Sequence, residues 1–167
     1  MILLFLFLQL FLSLGYKLLD IQPIFPKILK PCTKLEPEIL EVAREISNDL
    51  KYFQISDTLE SGIMCSSSNI HYGYTNLYDN RTDIWINNEL IKYPNTLYNV
   101  VLHEIIHSVG LDHSIEPGIM NYSIRVSGYN NNFIPINDDR KLWLSLDDRQ
   151  GIIKASRLSN NQSTIIN

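Results

Sequence analysis

The chain has 167 residues, 45% of them hydrophobic and 19% charged, which is the length of one domain with enough apolar material for one core. Its net charge is -4 and it carries no basic block, so a nucleic-acid partner is excluded, because phosphate binding needs clustered lysine and arginine.

Met1 to Leu14 are apolar apart from Gln9 and Ser13. That run falls short of the roughly 20 residues a spanning helix needs, but it matches the apolar region of a secretory signal peptide. Ser13 and Gly15 are small residues suited to cleavage before Tyr16. Residues 1–15 therefore read as a leader, with an uncleaved anchor or a buried helix as the other readings. Secretion follows from the first, and membrane attachment only from the second. Cys32 and Cys65, the only cysteines, read first as one disulfide of a secreted protein. Two unrelated thiols, or a latency cysteine facing a metal, are the alternatives. Sequons at Asn80, Asn121 and Asn161 agree with a secretory route, Asn80 being the best placed acceptor.

Residues 16–34 contain Pro23, Pro26 and Pro31 without a sustained period and read as extended or irregular. From Pro37 to about Phe53, Ile39, Val42, Ala43, Ile46, Leu50 and Phe53 recur at spacings of three and four, which predicts an amphipathic helix. Residues 54–92 read as strand-rich, with short apolar runs at Gly62–Cys65, Ile70–Tyr74 and Ile84–Ile86. Between the last two, residues 79–82 read as a hairpin or loop tip. Asp79 and Asp83 there are calcium candidates or, more commonly for such residues, solvated turn carboxylates.

A second helix is expected from about Thr96 to Val109, capped by Asn95 or Thr96 and stopped by Gly110. Within it lies His103-Glu104-Ile105-Ile106-His107, followed by Gly110 and His113. Histidines four apart share one helical face, so both imidazoles can reach one metal. Glu104 is turned about 100° from His103, beside the ligands, where it can touch a metal-bound water without ligating. Gly110 allows a left-handed turn that brings His113 back as third ligand. Three protein ligands leave the fourth position open, as a catalytic zinc site requires. Three of the four histidines are spent here, and the fixed glycine and third histidine set the pattern apart from two chance histidines on a surface helix. Beyond an asparagine-rich stretch at Asn130–Asn132, Ser145 and Asp148 form a capping box for a last helix, and residues from Leu158 onward read as a frayed polar end.

The stretch from His103 to His113 resembles the metzincin zinc proteases, and Gly118-Ile119-Met120-Asn121 resembles their Met-turn. Ser114 after the third histidine, and Leu146-Asp147-Asp148-Arg149-Gln150-Gly151-Ile152, are most similar to the matrixins. The resemblance covers about residues 97–153. It implies an α+β fold with a twisted, mostly parallel five-stranded sheet, long helices, an active-site helix, a Met-turn and a C-terminal helix. It further implies one catalytic zinc, Met120 packed as a structural residue below it, and a zinc-dependent endopeptidase in which Glu104 activates the zinc-bound water. Residues 16–158 would form the catalytic domain of a monomer and 159–167 a tail. Extracellular proteins or peptides would be the substrates, possible matrix proteins among them by family likeness.

Some features depart from that pattern. A matrixin structural zinc uses several upstream histidines, and only His71 is present, so His71 reads as a strand residue. Met120 is followed by Tyr122, an arrangement closer to astacins and serralysins. Tyr122 is thus a candidate fifth ligand or transition-state stabiliser, with packing in the wall as its other role. Tyr129, Phe133 and Ile134 suggest an apolar specificity pocket. A catalytically silent zinc module and a membrane-tethered protein are the rival classes, and the intact Glu104 speaks against the first.

Overall fold

The computed structural model describes residues 16–19, 27–68, 72–78, 81–114, 118–120 and 141–163, with side chains as far as Leu158. The leader, His71, Asp79, the three sequon asparagines, Tyr122 and the pocket candidates Tyr129, Phe133 and Ile134 lie outside the described residues or side chains. Among the described residues no helix is long and apolar enough to cross a membrane.

Strand β1 (Lys27–Pro31) is followed by helix α1 (Pro37–Asp49) and strands β2 (Phe53–Ile55), β3 (Gly62–Ser67), β4 (Gly73–Leu77) and β5 (Thr82–Asn87). A 3-10 turn (Asn88–Lys92) leads into helix α2 (Pro94–Ser108), and helix α3 (Leu146–Ser163) closes the fold. The five strands form one sheet in the order β2-β1-β3-β5-β4. Every pairing is parallel except that of β4, which runs antiparallel to β5 along the edge. The architecture is therefore α+β with the expected mostly parallel sheet.

β1 lies in the segment read as extended or irregular and makes its last part a regular strand, while β2 opens the strand-rich stretch one residue earlier than expected. Pro31 closes β1, where a missing amide disturbs little of the ladder, while Lys27 and Leu29 alternate inward. Phe53 belongs to β2 and not to α1, which ends at Asp49; its side chain is buried either way, and that is why it fitted the helical spacing. α3 likewise runs to Ser163, beyond the point where fraying was expected.

α1 carries a proline in its first turn, where the amide has no helical partner to lose, and buries Ile39, Ala43 and Ile46. It packs on β2 and on α2, and α2 packs on β4 and β5. Leu29, Met64, Ile84 and Ile86 of the sheet and Leu97, Val101 and Ile105 of α2 meet in one core. Cys32, just past β1, is bonded to Cys65 in β3, with Cα atoms 5.3 Å apart, and so joins two neighbouring strands covalently.

Gly62 opens β3 opposite Thr82 of β5. A Cβ there would stand 2.0 Å from the Thr82 carbonyl oxygen, and neither strand backbone can yield. Gly62→Ala is expected to lower stability by about 3 kcal/mol or more, at the upper end of overpacking costs. Urea unfolding followed by circular dichroism measures it, and an unchanged midpoint would show that the strands can part at this position.

Candidate active site

Helix α2 begins at Pro94, two residues before the expected start at Thr96, with Tyr93 and not Asn95 or Thr96 at its cap, because proline is tolerated in a first turn. It is buried along Leu97, Val100, Val101, Ile105 and Ile106. This packing fixes the rotation of the helix and turns His103 and His107 toward one side. The helix ends where Gly110 takes φ 99°, a left-handed conformation that side chains with a Cβ resist. The chain then reverses, and Leu111 forms an antiparallel bridge with Leu18. Leu19 N–H donates to Gly110 O at 2.9 Å, and Asp112 N–H donates to Lys17 O at 2.8 Å. The Lys17 ammonium also pairs with Asp112 at 2.7 Å. This short strap holds the turn that carries His113.

The three imidazoles converge. His113 Nε2 lies 3.2 Å from His103 Nε2 and 3.3 Å from His107 Nε2. His103 Nδ1 is 2.7 Å from the Ile119 carbonyl, and His107 Nδ1 is 2.7 Å from the Leu111 carbonyl. A carbonyl only accepts, so both Nδ1 atoms carry the hydrogen and both Nε2 atoms present lone pairs. Such nitrogens facing one another at this distance repel unless a cation or a proton lies between them. Two nitrogens bound tetrahedrally to zinc, each at about 2.0–2.1 Å, stand about 3.3 Å apart. The donor set and its spacing therefore fit zinc. Among the described residues, His103, His107 and His113 are the one group of side chains arranged to hold a metal ion.

Electrostatics favour the ligating form. Burial pushes His103 down to about 3, with the neighbouring His107 adding to the effect. Burial also holds His107 and His113 below the ordinary histidine range. All three rings are thus neutral at neutral pH, the state that binds metal.

Glu104 is buried, with 6% of its surface exposed, and burial raises its carboxyl to about 7 against the opposing pull of a hydrogen bond from Thr75. Thr75 Oγ1 lies 2.7 Å from Glu104 Oε2. Two residues earlier in β4, Gly73 leaves the space the glutamate fills: a Cβ there would stand 2.8 Å from Glu104 Cγ and 2.9 Å from Val100 Cγ1. Sequence reasoning missed both residues. The available signal was a strand with glycine and threonine two apart, hence on one face, beside the expected helix.

Met120 is fully buried, and Ser114 N–H donates to its carbonyl at 2.7 Å. Ile119, one residue before, supplies the carbonyl that orients His103. Gly118 rests against α3, where a Cβ would meet Asp148 Oδ2 at 2.6 Å and Ser145 Cβ at 2.7 Å. Those two residues form the expected capping box: Asp148 N–H donates to Ser145 Oγ at 3.0 Å and Ser145 N–H to Asp148 Oδ2 at 2.9 Å. Ser114 Oγ donates to the adjacent Asp147 at 3.0 Å. The first turn of α3 thus supports both the segment after His113 and the turn at Met120.

Asp83, a calcium candidate, pairs with Arg81 at 2.6 Å and lies in the field of Lys27, whose ammonium burial lowers to about 8. Arg81 already pairs with its carboxylate, and it joins no metal-binding group among the described residues.

A family model for the matrixins matches residues 47–154, from the last turn of α1 into α3. No curated protein matches the chain. Among solved structures it is similar to archaemetzincin from Archaeoglobus fulgidus, crystallised with malonate, at 14% identity and a TM-score of 0.47, covering 75% of this chain and 99% of that one. That likeness is slight, whereas the family match takes in α2, the Gly110 turn and Met120 together. The chain belongs to the matrixin family and is a zinc metallopeptidase.

Proposed function

We propose that this metallopeptidase is an endopeptidase of extracellular proteins, with zinc held by His103, His107 and His113 and with Glu104 as general base. The observation that carries the reading is the approach of three imidazole nitrogens, 3.2 and 3.3 Å from His113 to its partners, on the helix that also presents Glu104. Zinc in such a site acts as a Lewis acid that acidifies water and polarises a scissile carbonyl. Glu104 takes the proton from the attacking water and returns it to the leaving amine. Burial, which raises the Glu104 carboxyl, makes it a stronger base than an exposed glutamate. The neutral rings of His103 and His107, each fixed through Nδ1, keep their Nε2 atoms aimed at one point.

Among the described residues β4 is an edge strand, hydrogen-bonded to β5 on one side only, and its Thr75 touches Glu104. An extended peptide can add to the open side as a further strand, which brings its backbone past the general base. This favours a polypeptide substrate over a small molecule. The disulfide supports an oxidising, extracellular setting. Tyr122 as transition-state stabiliser, and cleavage of the leader before Tyr16, belong to the same reading.

A quenched-fluorescence peptide library tests it. Cleavage is expected to stop with 1,10-phenanthroline and to return when about one equivalent of zinc is added after the chelator is removed. Cleavage that persists in the metal-free protein, or a zinc-loaded protein that cleaves no member of the library, would overturn the reading.

A further inference from the structure

A general base on a flexible side chain must be held in one orientation if it is to meet the same water in every turnover. Glutamate has three side-chain torsions, and helix packing fixes only the first part of that chain. In this protein the end of the side chain is held from outside the helix, by β4. Gly73 opens the space, and the Thr75 hydroxyl lies 2.7 Å from Glu104 Oε2 and 3.0 Å from the main-chain carbonyl oxygen of the same residue. The carboxyl is buried, so little water competes for that contact.

We propose that Thr75 is a positioning residue that fixes the orientation of the Glu104 carboxyl group through its hydroxyl. A hydroxyl has one hydrogen and two lone pairs. It donates to the carboxylate oxygen while Glu104 is free to accept a proton. Once Glu104 has taken that proton on its other carboxyl oxygen, Oε2 is still an acceptor and the same hydroxyl goes on donating to it. The hydroxyl is within hydrogen-bond distance of Oε2 and of the Glu104 main-chain carbonyl oxygen, so the carboxyl keeps its place on both sides of the proton transfer. A threonine suits the position better than serine alone would suggest, because its branched side chain has few rotamers and suits a strand.

The inference rests on the reading of Glu104 as general base. Thr75→Val keeps the shape and removes the hydroxyl, whereas Thr75→Ser keeps the hydroxyl and removes the methyl group. For Thr75→Val, kcat is expected to fall about ten- to hundred-fold, the usual cost of losing a group that orients another at a metal site, while KM and zinc content stay at wild-type values. Thr75→Ser is expected to recover most of the lost kcat. Should the valine variant fail to fold, Thr75→Ala is compared with Thr75→Ser by the same measure.

Glu104→Gln in the same assay separates the two claims. If Glu104→Gln is inactive while Thr75→Val turns over at the wild-type kcat, the role of Thr75 is overturned and the base stands. If Thr75→Ser falls as far as Thr75→Val or Thr75→Ala, packing and not the hydroxyl is responsible, and the inference is again overturned. An active Glu104→Gln would remove the base reading and this inference with it.

Discussion

Glu104→Gln is expected to retain its zinc and its fold while kcat falls on the order of 10³-fold, within the range that general acid–base groups supply. The substitution keeps the shape of the side chain and leaves an amide oxygen that can still accept from the Thr75 hydroxyl. It removes only the ability to take up and return a proton, which the proposed general base needs. Stability provides the control. Burial raises the folded carboxyl from its ordinary 4.5 to about 7, so between those values the folded state binds more protons than the unfolded one. The metal-free wild-type protein therefore loses this contribution as pH rises through that window, and above pH 7 it carries a buried, ionised carboxylate at a cost. The neutral amide has no such cost. At pH 8 the metal-free variant is expected to unfold at a urea concentration equal to or above that of the wild type. Zinc content, unfolding midpoint and kcat measured on one preparation decide the matter. A variant that cleaves at the wild-type rate would show that another group activates the water. A variant that had lost its zinc would place Glu104 among the ligands.

The parts of this site that could be read in the sequence are those whose spacing is set within one helix and one turn. His103, Glu104 and His107 follow from the helical repeat, and the glycine at 110 foretold the left-handed turn observed there at φ 99°. Ser145 and Asp148 were legible for the same reason, because a capping box is local. What could not be read depends on chain segments that meet only in the folded state. Thr75 and Glu104 are 29 residues apart, and nothing near either one announces the other. The Ile119 carbonyl that orients His103, 16 residues away, carries no side-chain signature at all. In the sheet, β1 was hidden by the prolines around it, since sequence alone does not show that Pro31 falls at the strand's end. β2 was hidden because three residues are too few for a period, and Phe53 also satisfied the spacing of the preceding helix.

The third histidine offers the other large effect. His113→Ala is expected to weaken zinc binding by more than the ten- to hundred-fold that follows loss of an outer-shell partner, and to remove turnover with it. His103 and His107 keep their backbone partners in this variant, so their rings stay fixed, but two imidazoles alone cannot complete a tetrahedral site of three protein ligands and one open position. The loss should come without collapse of the fold. The side chain of His113 is 36% exposed and lies outside the apolar core, and the strap from Lys17 to Leu19 holds the turn through main-chain bonds at Gly110 and Asp112 that the substitution leaves in place. Competition with a chromophoric chelator measures the affinity, and circular dichroism of the metal-free form checks the fold. Stoichiometric zinc held at wild-type affinity would mean that the ion is bound by a different set of groups. In that case the close approach of the three rings would need another explanation, such as a shared proton. Loss of zinc together with a folded metal-free protein would instead tie the metal to the one ligand that helix α2 does not itself carry, and so to the turn at Gly110 that delivers it.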